Sequence, residues 1–241
     1  MKGLINRLSQ KIARHCDELF QRRSNLLFNT IRLLCRSSSQ RRNIFYVTRS
    51  PIVIVYFITS LNASAQSLDL RLLKSINKND YPCWDKTMKI TSASIYPVMV
   101  VAPGSLLLSG YINNDKIMMR NGLKTCAALG LNTVLTFGIK YAVNRPRPFT
   151  QYPNDIINRG NVSTHSFPSG HTSAAFATAT ALTLSTKKWY VAVPSYLYAC
   201  GVGYSRMRLG VHFPSDVLGG MVIGIGSSLL IWKLDKWLLK N

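Results

Sequence analysis

Five apolar segments follow one another along this chain, Ile90–Leu108, Thr125–Val143, Phe167–Leu184, Trp189–Tyr204 and Val217–Trp232, with polar loops between them. Any one of them, taken singly, would pass for a buried helix of a soluble domain, and several fall short of the roughly 20 residues a bilayer-spanning helix needs. Their succession decides otherwise. Almost no charge lies inside them, apart from Lys124 and Lys140 near the ends of the second segment. The pattern predicts an all-α fold, a membrane helical bundle of about five transmembrane helices. The small residues of SAAFATATA (173–181) and the pair Gly220-x-x-x-Gly224 would let helices in such a bundle approach closely.

Charge sets the rest of the layout. A formal charge of +21 in a chain that is 47% hydrophobic points either to nucleic-acid binding or to a membrane protein with basic loops. Residues 1–50 hold eleven Lys or Arg against two Asp or Glu, without glycine-rich loops or periodic aromatics, so a nucleic-acid partner is disfavoured. The ten-residue run Ile52–Leu61 followed by Ala63-Ser64-Ala65 resembles a secretory signal cut after Ala65, or else an uncleaved anchor, with a natural start downstream of Met1. The expected division is therefore a basic extension plus signal, 1–65, and a membrane-embedded domain, 66–241. The amphipathic stretch LDLRLLKSINKND (68–80), with Cys83 and Trp84 after it, suits a helix at the membrane surface. Lys116 and Arg120, Lys187 and Lys188, and Lys233, Lys236 and Lys240 follow alternate segments, which places those ends in the cytoplasm. Five scattered cysteines without a C-x-x-C give neither a zinc site nor a disulfide framework.

Three stretches carry chemistry. Ser205–Asp216 reads SRMRLGVHFPSD and brings a cation, Arg206, an imidazole, His212, and a carboxylate, Asp216, four residues beyond the histidine. Pro214 suits the first turn of a helix, and a carboxylate so spaced can fix the imidazole tautomer and support an imidazolium. Earlier come KYAVNRPRP (140–148), with Lys140 and Arg147, and PSGH (168–171), with Ser169, Gly170 and His171. Three cations, Lys140, Arg147 and Arg206, can neutralise phosphoryl oxygens, arginine as a planar fork and lysine as a point charge. A helix opening at Pro168-Ser169-Gly170 would turn backbone N–H groups and its positive dipole end toward the same anion.

Eleven positions, Lys140, Arg147 and Pro148, then Pro168 to His171, then Ser205, Arg206, His212 and Asp216, resemble the three-part signature of the type 2 phosphatidic acid phosphatase superfamily, which also holds class A acid phosphatases and vanadium haloperoxidases. The resemblance implies a metal-independent phosphatase without a cofactor. His212 would be the nucleophile that forms a phosphohistidine, Asp216 would orient it, and His171 would protonate the leaving oxygen. Lys140, Arg147, Ser169, Gly170 and Arg206 would bind the phosphate. The apolar segments favour a lipid phosphate or diphosphate as substrate, at the periplasmic face of a bacterial inner membrane. A soluble periplasmic acid phosphatase or a haloperoxidase on the same scaffold is the alternative. Arg145 and Arg208 lie beside motif positions and read as head-group contacts or solvated charges, and His165 reads as a solvated loop residue outside the site.

Overall fold

The computed structural model describes residues 68–78, 81–160, 162 and 165–239, so the expected extension and signal segment, 1–65, lies outside the described residues. All regular structure among the described residues is helical. Residues 68–77 form α1; then come α2 (Pro82–Ala93), α3 (Ile95–Ile112), α4 (Lys116–Val143), the single turn α5 (Pro148–Gln151), α6 (Gly170–Thr186), α7 (Trp189–Arg208) and α8 (Pro214–Leu238).

Local chemistry explains the boundaries. Asp115 caps α4 by accepting the N–H groups of Ile117 and Met118 at 2.9 and 3.0 Å. The same helix ends where Asn144 turns left-handed, at φ 49°, ahead of Arg145-Pro146, a pair that cannot continue it. Pro214 opens α8 with Asp216 in its first turn. The first apolar segment divides at Ser94, since Pro97 has no N–H to give the carbonyl four residues back.

Helix α6 is the centre of the bundle, packed on α3, α4, α7 and α8. Ten successive residues, Thr172 to Ala181, are buried. Their alanines join Ile95, Phe176, Ala199 and Val202 in the main apolar cluster. Thr178 donates its hydroxyl to the Ala174 carbonyl at 2.8 Å and Thr180 to that of Phe176 at 2.7 Å, and the Thr180 oxygen also pairs with the Tyr196 hydroxyl of α7 at 2.9 Å. Against α8 the approach is very close. A Cβ added at Gly224 would stand 2.2 Å from the Ser173 carbonyl oxygen, and one at Gly220 2.6 Å from that of Ser169. The small-residue pair thus does what its spacing suggests.

The outside of the bundle is apolar. Pro82–Ile112, Lys116–Gln151 and Pro214–Leu238 are each long and apolar enough to cross a membrane, and in their apolar windows only 28%, 22% and 28% of the residues are buried in protein. Val100, Leu108, Val134, Phe137, Val222 and Leu229 point outward. Such a surface suits acyl chains and does not fit a soluble phosphatase. The 17 residues of α6 and the 20 of α7 pack with these three candidate spans in one helical bundle. Enclosure of α6 by protein removes the need for apolar side chains all round it.

Replacing Gly224 with Val is expected to force α6 and α8 apart, at about 1–3 kcal/mol for the overpacking alone. Thermal unfolding in detergent should show a lower midpoint. Gly226→Ala, where a Cβ meets nothing within 4 Å, should leave it unchanged or raise it slightly.

Candidate functional site

The three motif stretches meet at one end of the bundle. Lys140 is in the last turn of α4, Gly170 and His171 are in the first turn of α6, Arg206 is in the last turn of α7, and Asp216 is in the first turn of α8. Alternating helix direction puts all of these at the same end.

His212 sits in the short connection from α7 to α8 and is 2% exposed. That connection turns at Gly210, whose φ of +72° and whose approach to the Ile157 carbonyl, 2.4 Å from where a Cβ would be, require glycine. The His212 Nδ1 faces Asp216 Oδ2 at 3.6 Å, just beyond direct hydrogen-bond reach, while Nε2 lies 3.4 Å from Arg147 Nη1. The ring therefore presents Nε2 to the cations. Asp216 is itself fully enclosed: Oδ2 accepts the Phe213 N–H at 2.8 Å, and Oδ1 accepts Arg145 Nη1 at 2.7 Å. Burial holds the His212 imidazole at about 4 instead of the ordinary 6.5; Asp216 opposes the fall and Arg206 adds to it.

The phosphate-binding candidates are anchored from behind. Arg147 gives Nη1 to the Val211 carbonyl at 2.9 Å. Arg206 gives Nη1 to Ser92 Oγ at 2.6 Å, and its buried Nε makes no hydrogen bond. Lys140 donates to the His165 carbonyl at 2.9 Å, so His165 enters through its backbone, while its ring packs edge-on against Tyr141. The Ser169 hydroxyl pairs with that of Thr172 at 2.9 Å, and the Ser169 N–H is spent on the Asp216 carbonyl at 3.0 Å, tying α6 to α8. That leaves the amides from Gly170 onward to serve an anion. A Cβ on Gly170 would meet only Thr136, at 3.6 Å, so the protein itself does not demand glycine there. His171 rests edge-on against Tyr96, ring centroids 5.2 Å apart, and feels the charges of Arg206, His212, Arg147 and Lys140.

Two readings from sequence need correction. Arg145 is neither a head-group contact nor solvated: it bridges Asp216 and Asp69, with its guanidinium 4.1 Å over the Phe213 ring. Arg208 is 4% exposed, donating to Asp85 at 2.9 Å and to the Ile76 carbonyl at 2.8 Å. Asp85 also pairs with Arg159 at 2.8 Å, which fastens the loop after α5 to α2. Asn77 adds to this frame, holding the Ile157 N–H at 2.8 Å and the Arg208 carbonyl at 2.9 Å. Asp69 and Asn77 on α1 and Asp85 and Ser92 on α2 carry no motif, and only the spacing on α1, with Asp69, Leu73 and Asn77 on one stripe, hints at a buried face. A cavity of about 840 Å³ among Lys124, Trp189, Trp232 and Asp235 lies at the other end and shares no residue with this cluster.

The profile of the PAP2 superfamily matches residues 121–240. Undecaprenyl-diphosphatase BcrC of Bacillus subtilis is 28% identical over 131 residues, 54% of this chain and 64% of that protein, so the chain spans under two thirds of that relative. The solved structure of Aquifex aeolicus LpxE is 31% identical, with a TM-score of 0.59, over 69% of this chain and 95% of that one. The chain belongs to the PAP2 superfamily. A transmembrane PAP2-type phosphatidylglycerolphosphate phosphatase from Bacillus subtilis shares the fold at a TM-score of 0.59 and 26% identity, over 77% of this chain and 96% of that one. The PAP2 match contains all the motif positions, whereas α1 to α3, with Asp69, Asp85 and Ser92, precede it.

The burial of His212 has a consequence for stability. An unfolded chain protonates this imidazole near 6.5 and the folded one only near 4, so acidification across that window favours unfolding, by about 3 kcal/mol once pH is below 4. His212→Gln should lose less stability than wild type between pH 7 and pH 4, as read from thermal midpoints in detergent.

Proposed function

We propose that this protein hydrolyses a phosphate or diphosphate borne by a lipid, through a phosphohistidine at His212. The observation that carries the reading is the convergence of His212, backed by Asp216, with Lys140, Arg147, Arg206 and the start of α6 at one end of a membrane bundle. The apolar outer surface supports a position of that end beside lipid head groups, and the related BcrC and phosphatidylglycerolphosphate phosphatase carry lipid-phosphate activities in their names.

Lys140, Arg147 and Arg206, with the amides from Gly170 onward, hold the phosphoryl oxygens and stabilise the charge that develops on them. Asp216 keeps the proton on His212 Nδ1, which leaves the Nε2 lone pair for phosphorus. As the P–N bond forms, the P–O bond to the lipid breaks and His171 gives its proton to the departing oxygen. Water then attacks the phosphohistidine, its proton passes to His171, the P–N bond breaks, and inorganic phosphate leaves. Side-chain cations supply the neutralisation, so the sequence of steps calls for no metal. The site faces the periplasm of a bacterial inner membrane, a placement supported by the lysines at the other end, where Arg120 on α4 and Asp235 on α8 pair at 2.7 Å.

Detergent-purified protein offered a panel of lipid phosphates and diphosphates is expected to release phosphate from at least one, in EDTA as well as without it. His212→Ala should reduce this by about 10³-fold or more and abolish the labelled phosphoenzyme. His171→Ala should cost most with a lipid alkoxide leaving group and least with nitrophenyl phosphate. Full activity of His212→Ala, or equal losses by His171→Ala across leaving groups, would overturn the reading. For the orientation, a reporter fused after Leu239 should be active only in its cytoplasmic form, and periplasmic activity would reverse the scheme.

A further inference from the structure

We infer that Asp69, on the helix that precedes the PAP2 match, is a positioning residue: it balances the charge of Arg145 so that the Asp216 carboxylate remains available to His212. The inference rests on the phosphohistidine reading above.

The geometry is a chain of shared charges. Arg145 donates Nη1 to Asp216 Oδ1 at 2.7 Å and Nη2 to Asp69 Oδ2 at 3.0 Å. Asp69 Oδ1 accepts the Ser215 N–H at 3.0 Å, the Ser215 hydroxyl bonds to Asp69 Oδ2, and the same hydroxyl lies 2.7 Å from Arg145 Nη1. The side chains of Asp69, Arg145 and Asp216 are 10%, 20% and 0% exposed. At this burial their charges are screened less than those of exposed pairs and act on one another accordingly.

Asp216 has two duties that conflict. An arginine bound to one of its oxygens fixes its orientation but cancels its charge, and that charge is what stabilises His212 as the imidazole becomes cationic on attacking phosphorus. One guanidinium against one carboxylate leaves a neutral pair. With Asp69 as the second carboxylate, the trio carries one net negative charge, and it sits beside the imidazole. Asp69 reaches this position because α1 is pinned by its other buried residues: Leu73 packs on Ile156 and Phe213, and Asn77 ties to the loop at Ile157. The helix that sequence places at the membrane surface is therefore part of the frame behind the histidine.

A purely structural tie between α1 and α8 would need only the shape of Asp69. Asp69→Asn keeps that shape and an acceptor for the Ser215 N–H while removing the charge. Steady-state turnover of the purified protein on its best lipid phosphate should show kcat reduced on the order of tenfold or more, with KM within about twofold, since the phosphate-binding groups are untouched. Asp69→Glu should restore part of kcat. The decisive variant is Asp69→Asn combined with Arg145→Gln, which returns the trio to one net negative charge and should be faster than Asp69→Asn alone. A double variant no faster than the single one, or an Asp69→Asn protein with wild-type kcat and only a lowered thermal midpoint, overturns the assignment. Wild-type kcat in Asp69→Asn beside an inactive His212→Ala overturns this inference alone; an active His212→Ala removes the function reading, and this inference with it.

Discussion

The contact on which the site depends is the near-touching of α6 and α8. At Gly220 and Gly224 the α8 backbone lies directly against the carbonyls of Ser169 and Ser173, with no room for even a methyl group. Only at that separation can the Ser169 N–H reach the Asp216 carbonyl at 3.0 Å and fix the start of one helix against the start of the other. Two helix N-termini are thereby aimed at a common point, and both positive dipole ends add to the field of Lys140, Arg147 and Arg206. A bundle built with larger residues at these crossings would keep its helices and lose the meeting of its motifs.

The polar groups have a corresponding division of labour. Along the middle of the bundle, serine and threonine hydroxyls bond to their own helix or to a neighbour, as Ser173 does with Asn132 and Ser228 with the Ala177 carbonyl at 2.8 Å. At the site end, the pairing reaches across the sequence and into charge: Asp216 with Arg145, and Asp85 with both Arg159 and Arg208. The groups left with spare capacity there are Arg206 Nε and His212 Nδ1, buried atoms without a hydrogen bond. Buried polar atoms are rarely left so, and where they are, a ligand or a chemical role is the usual reason.

Much of this was legible in the sequence, for a physical reason. Apolar runs bounded by lysines and prolines announce membrane helices through local composition: the second segment ends with α4 at Val143 and Pro214 opens α8, while α7 runs on from Tyr204 to Arg208. His212 and Asp216 are one helical turn apart, so their pairing was local too. Arg145 and Arg208 were misread because what defines them is distant: their carboxylate partners lie 76 and 123 residues back, on helices with no motif of their own. The same holds for Ser92, 114 residues before the Arg206 it anchors. Periodicity tells which face of α1 is apolar, but an aspartate on that face reads as solvated until the arginine opposite it is seen.

The site is drawn from the C-terminal ends of α4 and α7 and the N-terminal ends of α6 and α8, and Asp216 is the last of its members to be synthesised. A chain that stops before α6 lacks the PSGH turn with His171, and one that stops before α8 lacks the carboxylate behind His212. The motif cluster is thus assembled only when α8 packs against α6 and the Ser169 N–H meets the Asp216 carbonyl, which makes completion of the bundle and completion of the cluster a single event.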